Sequence, residues 1–325
     1  MTQYLLRRIL YAVPLLMGVN VITFVLFFIV NTPDDMARMH LGQKRVTAEA
    51  MAKWKHERGY DLPLFVNDQA EGAGQVTDTI FFQKSVGLFL FRFGRSDAGE
   101  DIGADISQRM WPSLAIAAPS LLVGLAVNIS MALLLVLFRR SYLELWGLVA
   151  CVALMSVSSL FYIIGGQYLV GKLLQLVPIS GYGSGAGAFK FLVLPVVIGV
   201  VSGIGSGVRW YRSLFIEEVE KDYVRTARSK GLGETYVLFT HVLKNAMIPI
   251  LTGVVVVLPL LFTGSLITES FFAIPGLGSY TINAINSQDF AIVRAMVFLG
   301  SALYILGLLL TDISYTLVDP RVRLE

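Results

Sequence analysis

Charge is scarce in this sequence. Only 15% of its residues are Asp, Glu, Lys or Arg, whereas 55% are apolar, and the mean hydropathy is +0.68. Several apolar runs reach the roughly 20 residues that an α-helix needs to cross a bilayer. Because a chain in lipid must satisfy its own backbone hydrogen bonds, the sequence predicts an all-α polytopic membrane protein. The soluble domains that chain length alone would suggest are excluded.

Cysteine and histidine are rare as well. The single cysteine, Cys151, excludes an intramolecular disulfide, and its place in an apolar run argues against a redox role. The histidines His40, His56 and His241 lack metal-site spacing. The apolar runs contain no paired carboxylates and no nucleophile with a base, so we expect no catalytic residue, metal site or cofactor in this chain. The small net charge of +3 gives no reason to expect nucleic acid as a partner.

Two glycine-containing stretches imitate nucleotide-binding loops. Gly166 to Lys172 matches most of the phosphate-loop pattern, but Leu173 stands where Ser or Thr would hold magnesium. That match also lies inside an apolar run rather than after a strand. Gly181 to Gly187 has no βαβ context and is interpreted as a flexible turn. We interpret both matches as accidental.

The apolar runs predict six membrane spans. They cover about residues 9–30, 112–138, 143–176, 189–208, 247–267 and 291–317. The third run is long enough to be tilted or broken near Gly165-Gly166. We therefore divide the chain into a tail with the first span (1–30), a polar region (31–110) and a five-span core (111–325), in which 209–247 is a polar segment.

Within the polar region, two stretches have a recognisable pattern. Thr47 to Arg58 predicts a short helix with Thr47 as its cap and Gly59 as its stop. Phe81 to Phe93 is apolar but interrupted by charge, so we expect it to pack on the membrane surface or on neighbouring helices.

Lys and Arg are concentrated on one side of the predicted spans. The short segments on that side contain Arg7-Arg8, Arg139-Arg140, the cations of 209–247 and those of the C-terminal tail. The positive-inside rule then places both termini in the cytosol and the 31–110 region outside.

Four charged residues lie in or near the predicted spans, namely Lys172, Glu269, Arg294 and Asp312. Buried charge in a bilayer is costly, so such residues are candidates for function. Each is close enough to a span end for its charge to reach water, and we favour that interpretation. The pattern does not identify a substrate path.

The polar segment 209–247 has a helix–break–helix pattern. Helix formers alternate with charges up to Lys230, Gly231-Leu232-Gly233 interrupts them, and helical character resumes at Glu234. Contact candidates are the small residues Thr226, Ala227 and Ser229 and the cations Arg225, Arg228 and Lys230. The pattern favours a docking element for a partner, the alternative being a solvated loop whose charges only enforce topology.

The same segment resembles the cytosolic docking motif of ABC importer permeases, in particular the peptide/nickel branch. It reads DYVRTARSKGL from Asp222 to Leu232 and HVLKNAMIP from His241 to Pro249. The chain's opening, YLLRRILYAVPLLMGVNVITFVLFF, resembles B-type subunits of dipeptide and oligopeptide permeases. Further matches in the family's order are Tyr60–Leu64, Phe93–Ser96, Ile179–Gly183, Phe271–Gly278 and Val318–Arg323. The chain departs from the family at Asn31–Asp35 and in a longer segment at about 67–91.

The resemblance implies a type I ABC importer permease fold in the bacterial inner membrane, with an enlarged extracytoplasmic segment after the first helix. It implies four partners besides the lipid bilayer: a second, similar permease, two cytosolic ATPases that bind ATP and magnesium, and an extracytoplasmic binding protein that delivers a peptide. The residues it assigns to ATPase coupling are Tyr223, Arg225, Thr226, Ala227, Arg228, Lys230, Gly231 and Leu232.

Other functions remain open at this point. The same architecture imports nickel, heme precursors or antimicrobial peptides. A self-contained channel or secondary transporter should bury ionisable residues in mid-span and often has inverted repeats, and neither is clear here. A membrane-bound enzyme is opposed by the missing catalytic residues.

Overall fold

Helices dominate the computed structural model, which describes residues 2–42, 47–183 and 185–318, and no β-strand occurs within these ranges. The α-helices are α1 (Thr2–Phe24), α2 (Pro33–Leu41), α3 (Ala48–Arg58), α4 (Gly74–Thr77), α5 (Gly87–Phe89), α6 (Ile102–Leu137), α7 (Tyr142–Ser156), α8 (Ser159–Gly166), α9 (Ala188–Val219), α10 (Asp222–Ser229), α11 (Glu234–Tyr236), α12 (Leu243–Val257), α13 (Leu266–Phe271), α14 (Leu277–Ser287) and α15 (Phe290–Val318). Short π-helices follow or precede them at Val25–Val30, Phe82–Val86, Gln167–Leu173 and Val237–Val242, and 3-10 turns occur at Gly185–Gly187 and Pro259–Thr263. The all-α fold class is confirmed.

Five helical segments are long and apolar enough to cross a membrane. They are Leu10–Val30, Ile102–Leu137, Ala188–Val219, Glu234–Phe271 and Phe290–Ser314. The segments Tyr142–Ser156 and Ser159–Leu173 qualify together as a sixth, but they are bent by 88°.

The predicted break of the third span is therefore real but misplaced. The backbone is extended at Val157 and Ser158, which interrupts the helical hydrogen bonds there. Gly166 stays helical and lies against α9, where an added Cβ would come within 3.1 Å of Ile198 Cγ1.

Several helices run beyond the apolar stretches that predicted them. α6 begins at Ile102, so residues 102–109 belong to the second span's helix, and α9 continues to Val219. Ile102 and Ile106 of α6 and Phe215 and Val219 of α9 are buried, so packing extends both helices past the lipid-compatible region.

The chain forms two compact units. Among the described residues, the first contains 2–42, 47–109 and 280–309, and its core is an aromatic-rich cluster. The buried members of that cluster are Phe24, Phe28, Met36, Ala37, Trp54, Tyr60 and Ile80. α3 lies on this cluster as predicted, with the Thr47 hydroxyl accepting from Ala50 N and Gly59 in a left-handed conformation (φ 63°). The 81–93 stretch packs on a neighbouring helix, since the Phe89 and Phe91 rings contact Phe298.

Among the described residues, the second unit contains 110–183, 185–279 and 310–318. Here α7 packs closely on α9 at Gly205, where an added Cβ would lie 2.8 Å from Met155 N. Its larger apolar cluster joins the ends of α6 and α9 to α10 and to the segment that follows.

The expectation that the four charged span residues reach water is wrong for two of them. Lys172 is exposed, but Glu269 and Arg294 are only 1% and 6% exposed. Both lie close enough to helix ends to have reached water, but tertiary packing covers them.

Two predictions cannot be compared with this structure. The family-like stretch Val318–Arg323 and the tail 319–325 fall almost entirely outside the described residues. The division into 1–30, 31–110 and 111–325 stays a prediction.

Candidate functional site

The short helix α10 stands between two long ones. α9 ends at Val219, and an extended residue, Lys221 (φ −73°, ψ 152°), separates it from α10. After α10 the chain turns at Gly231, whose φ of 80° is accessible to glycine without a Cβ clash. Helical structure resumes at Glu234, so the helix–break–helix pattern is confirmed.

One face of α10 is buried in its own chain. Val224 and Ala227, three residues apart, are 0% and 7% exposed. They belong to a cluster that also contains Phe215, Val219, Val237, Leu238, Val242 and Ala246. The expected contact of Ala227 with a partner therefore does not fit the structure. Its small side chain instead lets α10 lie close to its own core.

Polar contacts hold both ends of α10. At its start, Glu218 accepts from Tyr223 Oη at 2.8 Å and from Lys221 Nζ at 2.5 Å. At its end, Arg228 donates through Nε and Nη2 to the Glu234 carboxylate at 3.0 and 2.5 Å. α10 is thus tied to α9 on one side and to α11 on the other.

The same contacts shift two pKa values. Burial, and then the hydrogen bond to Glu218, raise the pKa of Tyr223 to about 12, so its hydroxyl remains a donor at neutral pH. The hydrogen bond to the Glu234 carboxylate raises the pKa of Arg228 above its usual value.

The opposite face of α10 is exposed, and part of it is formed by small side chains that lie close to the helix. The side chains of Asp222 and Arg225 are 95% and 73% exposed, and their 3.4 Å ion pair is too solvated to contribute much. The hydroxyls of Thr226 and Ser229 donate back to helix carbonyls, so they present small rounded surfaces rather than free donors.

Six of the eight predicted coupling residues are exposed together. They are Arg225, Thr226, Arg228, Lys230, Gly231 and Leu232. The other two, Tyr223 and Ala227, are turned partly or fully inward and position the helix.

A second organised site surrounds Glu269. Its carboxylate accepts from the backbone N–H of Ser265 at 3.1 Å and of Ser279 at 3.0 Å, which closes the loop between α13 and α14. Ser113 Oγ accepts from Leu277 N at 2.8 Å. Gly276 is required there, because an added Cβ would lie 2.5 Å from Ser113 Oγ. The sequence analysis expected the Glu269 side chain to reach water. The one signal for this loop was the family resemblance at 271–278.

Comparison with known proteins gives these sites a context. A model described as "Binding-protein-dependent transport system inner membrane component" matches residues 132–324, and a model of the N-terminal part of such components matches residues 1–81. The chain belongs to this family. It is the membrane-embedded permease of a binding-protein-dependent ABC importer and a multi-pass inner-membrane protein.

Individual relatives match this permease from end to end. A "Putative peptide transport system permease protein" of Brucella abortus is 31% identical over 331 residues, which cover 100% of each chain. A "Probable peptide ABC transporter permease protein" of Sinorhizobium fredii is 29% identical over 99% of this permease and 100% of the relative. The "Glutathione transport system permease protein" of Salmonella paratyphi A is 27% identical over 99% of each chain.

The permease contains supporting carboxylates that sequence reasoning missed. Glu144 of α7 pairs with Arg212 of α9 and accepts from Arg140 N at 2.6 Å. Glu220 pairs with Arg139 at 3.2 Å. The two ion pairs join residues that are far apart in sequence and leave no local signal, whereas the three-residue spacing of Glu218 and Lys221 is a pattern that sequence reasoning can detect.

Proposed function

We propose that this permease is one of two similar permease subunits of a bacterial importer that takes up peptides. Relatives named for peptide and glutathione transport match it over 99% or more of its length, which supports a peptide substrate. Both termini and α10 face the cytosol in this proposal, and the 31–110 region faces outward; the positive-inside distribution of Lys and Arg supports this orientation.

The observation that carries the coupling proposal is the division of α10 into two faces. Its apolar face is held in the permease's own core, and its ends are held by Glu218 and Glu234. Its exposed face offers small side chains and positive charge. Such a helix can enter a groove of a partner without losing its attachment to the spans.

Movement of the partner would then reach the membrane directly. When two cytosolic ATPases bind ATP with magnesium and close, each docked α10 moves with its ATPase. Because α10 is tied to α9 and to the segment after α11, both spans tilt, and access alternates between the two sides. A binding protein delivers the peptide outside.

The test uses Thr226→Trp and Arg225→Glu in the intact complex. Both side chains are exposed, so the variants should fold and insert normally. We expect at least a tenfold loss of co-purified ATPase and of peptide uptake, because the first change fills the contact surface and the second reverses its charge.

Matched controls are Ser107→Trp and Arg38→Glu. Ser107 is an exposed hydroxyl bonded back to its helix, and Arg38 is an exposed cation three residues after an aspartate, as Arg225 is. These controls should retain the ATPases. Normal uptake by both α10 variants would refute docking through this face. Ala227→Trp and Gly231→Pro are unsuitable, because one site is buried and the other has a φ of 80°.

A further inference from the structure

The first unit contains a pocket of about 490 Å³ whose walls are rich in positive charge. Its charged lining consists of the cations Arg58, Lys84, Arg92, Arg95 and Arg294 and the acids Glu57 and Asp97. The proposed coupling site does not include any of these residues. The pocket is in the size range of sites that bind small molecules.

Both acids of the pocket are already paired. Asp97 lies 2.7 Å from Arg58 Nε and 3.6 Å from His40 Nδ1, and Glu57 lies 3.9 Å from Arg58 Nη1. Among the residues that the structure describes, the remaining four cations of the lining form no ion pair. The pocket therefore has a surplus of positive charge.

Arg294 forms the buried end of the pocket. Only 6% of the residue is exposed, and its guanidinium lies 4.9 Å from the centre of the Phe28 ring. Its Nε and Nη1 atoms are buried and receive no hydrogen-bond partner from the described part of the chain. A buried charge with unsatisfied donors is strongly unfavourable unless an anion compensates it.

Lys84 adds a second cation beside this end. It is half-buried, and burial, followed by the positive charge of Arg294, lowers the pKa of its ammonium group. The two neighbouring cations repel each other. The buried carboxylate of Asp289 attracts Arg294, but it accepts from backbone N–H groups and forms no ion pair with the guanidinium. Arg92 and Arg95 are exposed and lie at the mouth of the pocket.

We propose that this pocket binds a small molecule through an oxyanion, a carboxylate or a phosphate group, held by Arg294 and Lys84. Guanidinium donors match both groups geometrically, and their charge-assisted hydrogen bonds are strong. Arg92 and Arg95 draw the anion to the mouth and contact its outer part. The proposal concerns binding alone and does not depend on the coupling role of α10.

The experiment measures thermal unfolding of the intact complex in phosphatidylcholine nanodiscs. The probes are inorganic phosphate, a dipeptide with a free C-terminus and the same dipeptide as its amide, all at equal ionic strength set with chloride. We expect phosphate or the free dipeptide to raise the unfolding midpoint with increasing concentration, since a ligand of the folded state stabilises it. The amide should not do so.

Arg294→Gln should weaken this response at least tenfold, and Arg294→Lys should weaken it less. Lys84→Gln is a second variant at a less buried site, and it should also weaken binding in case Arg294→Gln fails to fold. The control Arg38→Gln removes an exposed cation of the same unit outside the pocket and should leave the response unchanged.

Phosphatidylglycerol in the nanodisc distinguishes a lipid headgroup from a dissolved anion. If the lipid occupies the pocket, it raises the midpoint and removes the response to phosphate, and both effects require Arg294. If a dissolved anion occupies it, the lipid has no effect. Either result supports an oxyanion site. Equal midpoints with and without every probe, or the same response in wild type and Arg294→Gln, would overturn the proposal.

Discussion

Glu269 illustrates how a single carboxylate can organise a loop near the end of a span. It accepts two backbone N–H groups on opposite sides of the turn, from Ser265 and Ser279. Such charge-assisted bonds compensate for burial, so the residue is kept from water rather than extended toward it. Gly264 and Gly276 leave the space that this carboxylate needs.

We therefore expect Gly276→Ala to destabilise the permease by about 1–3 kcal/mol, since the added Cβ would lie 2.6 Å from the Glu269 carboxyl carbon. Thermal unfolding of the purified complex measures this. The control is Gly300→Ala in α15, where nothing lies within 4 Å and the helix should gain up to about 1 kcal/mol. Equal stability of the two variants would contradict the close packing at Gly276.

Tyr223 gives a second expectation at the residue scale. Tyr223→Phe removes the hydrogen bond to Glu218 and should cost about 0.5–1.5 kcal/mol. The pKa of Tyr223 is raised from 10.0 to about 12, so the unfolded chain loses this proton first and the stabilisation falls only as pH rises above about 10. The stability difference between wild type and variant should therefore be constant from about pH 6 to about pH 9.

Denaturation midpoints measured across this pH range check the prediction. Tyr211→Phe provides the control, because it removes a half-buried tyrosine hydroxyl without removing the contact to Glu218. A difference between wild type and Tyr223→Phe that vanished before about pH 9 would show that the phenol titrates much earlier than the structure implies.

At the scale of the helix, the contact between α7 and α9 depends on a small residue. Gly205 faces Met155 and the backbone of Cys151, whereas Gly203, on the same helix, faces open space. In lipid, no hydrophobic driving force brings helices together. Membrane helices therefore associate through small residues, which let their backbones approach closely.

Gly205→Ala should therefore lower the unfolding midpoint and Gly203→Ala should leave it unchanged or raise it. The expected cost at Gly205 is about 1–3 kcal/mol, because an added Cβ would meet Met155 N at 2.8 Å. The measurement compares the thermal unfolding midpoints of the wild-type complex and of each variant complex in detergent. A stable Gly205→Ala would mean that α7 and α9 separate easily in the assembly.

At the scale of the whole molecule, the orientation of the chain in the membrane can be measured with single cysteines. The native Cys151 is buried and should not react with an impermeant maleimide. Asp68→Cys and Lys230→Cys are both exposed sites, and the proposed topology places them on opposite sides. In intact spheroplasts we expect labelling at 68 and none at 230 until the membrane is opened.

Each variant serves as its own control, because its cysteine should react once the maleimide has access to the side of the membrane on which that cysteine lies. Labelling at position 230 in sealed spheroplasts, with none at 68, would reverse the orientation. Labelling at both would place α10 and the 31–110 region on one face, which is incompatible with the predicted number of spans.

Local features of this fold could be predicted from the residues. Thr47 and Gly59 bound a helix because a hydroxyl cap and a left-handed glycine act within one turn of chain. Gly231 breaks the polar segment for a similar reason. Apolar run length located the spans, although α6 and α9 extend beyond them because their polar ends also pack.

Long-range features were not predictable in this way. Ala227 was expected on the contact surface because it is small, yet the face it occupies depends on a cluster that includes Leu135 and Val136, which are remote in sequence. Arg294 and Glu269 were expected to reach water because of their positions along the helices. Their burial depends on side chains supplied by other segments.

Run length, composition and capping act locally, so they predict from the residues that this chain is helical, lies in a membrane and carries a polar helix–break–helix segment. Three features appear only in the folded chain: which face of α10 is free, where the third span bends, and which charges lose contact with water. The physical reason is that burial and hydrogen-bond satisfaction depend on neighbours brought together only when the chain has folded.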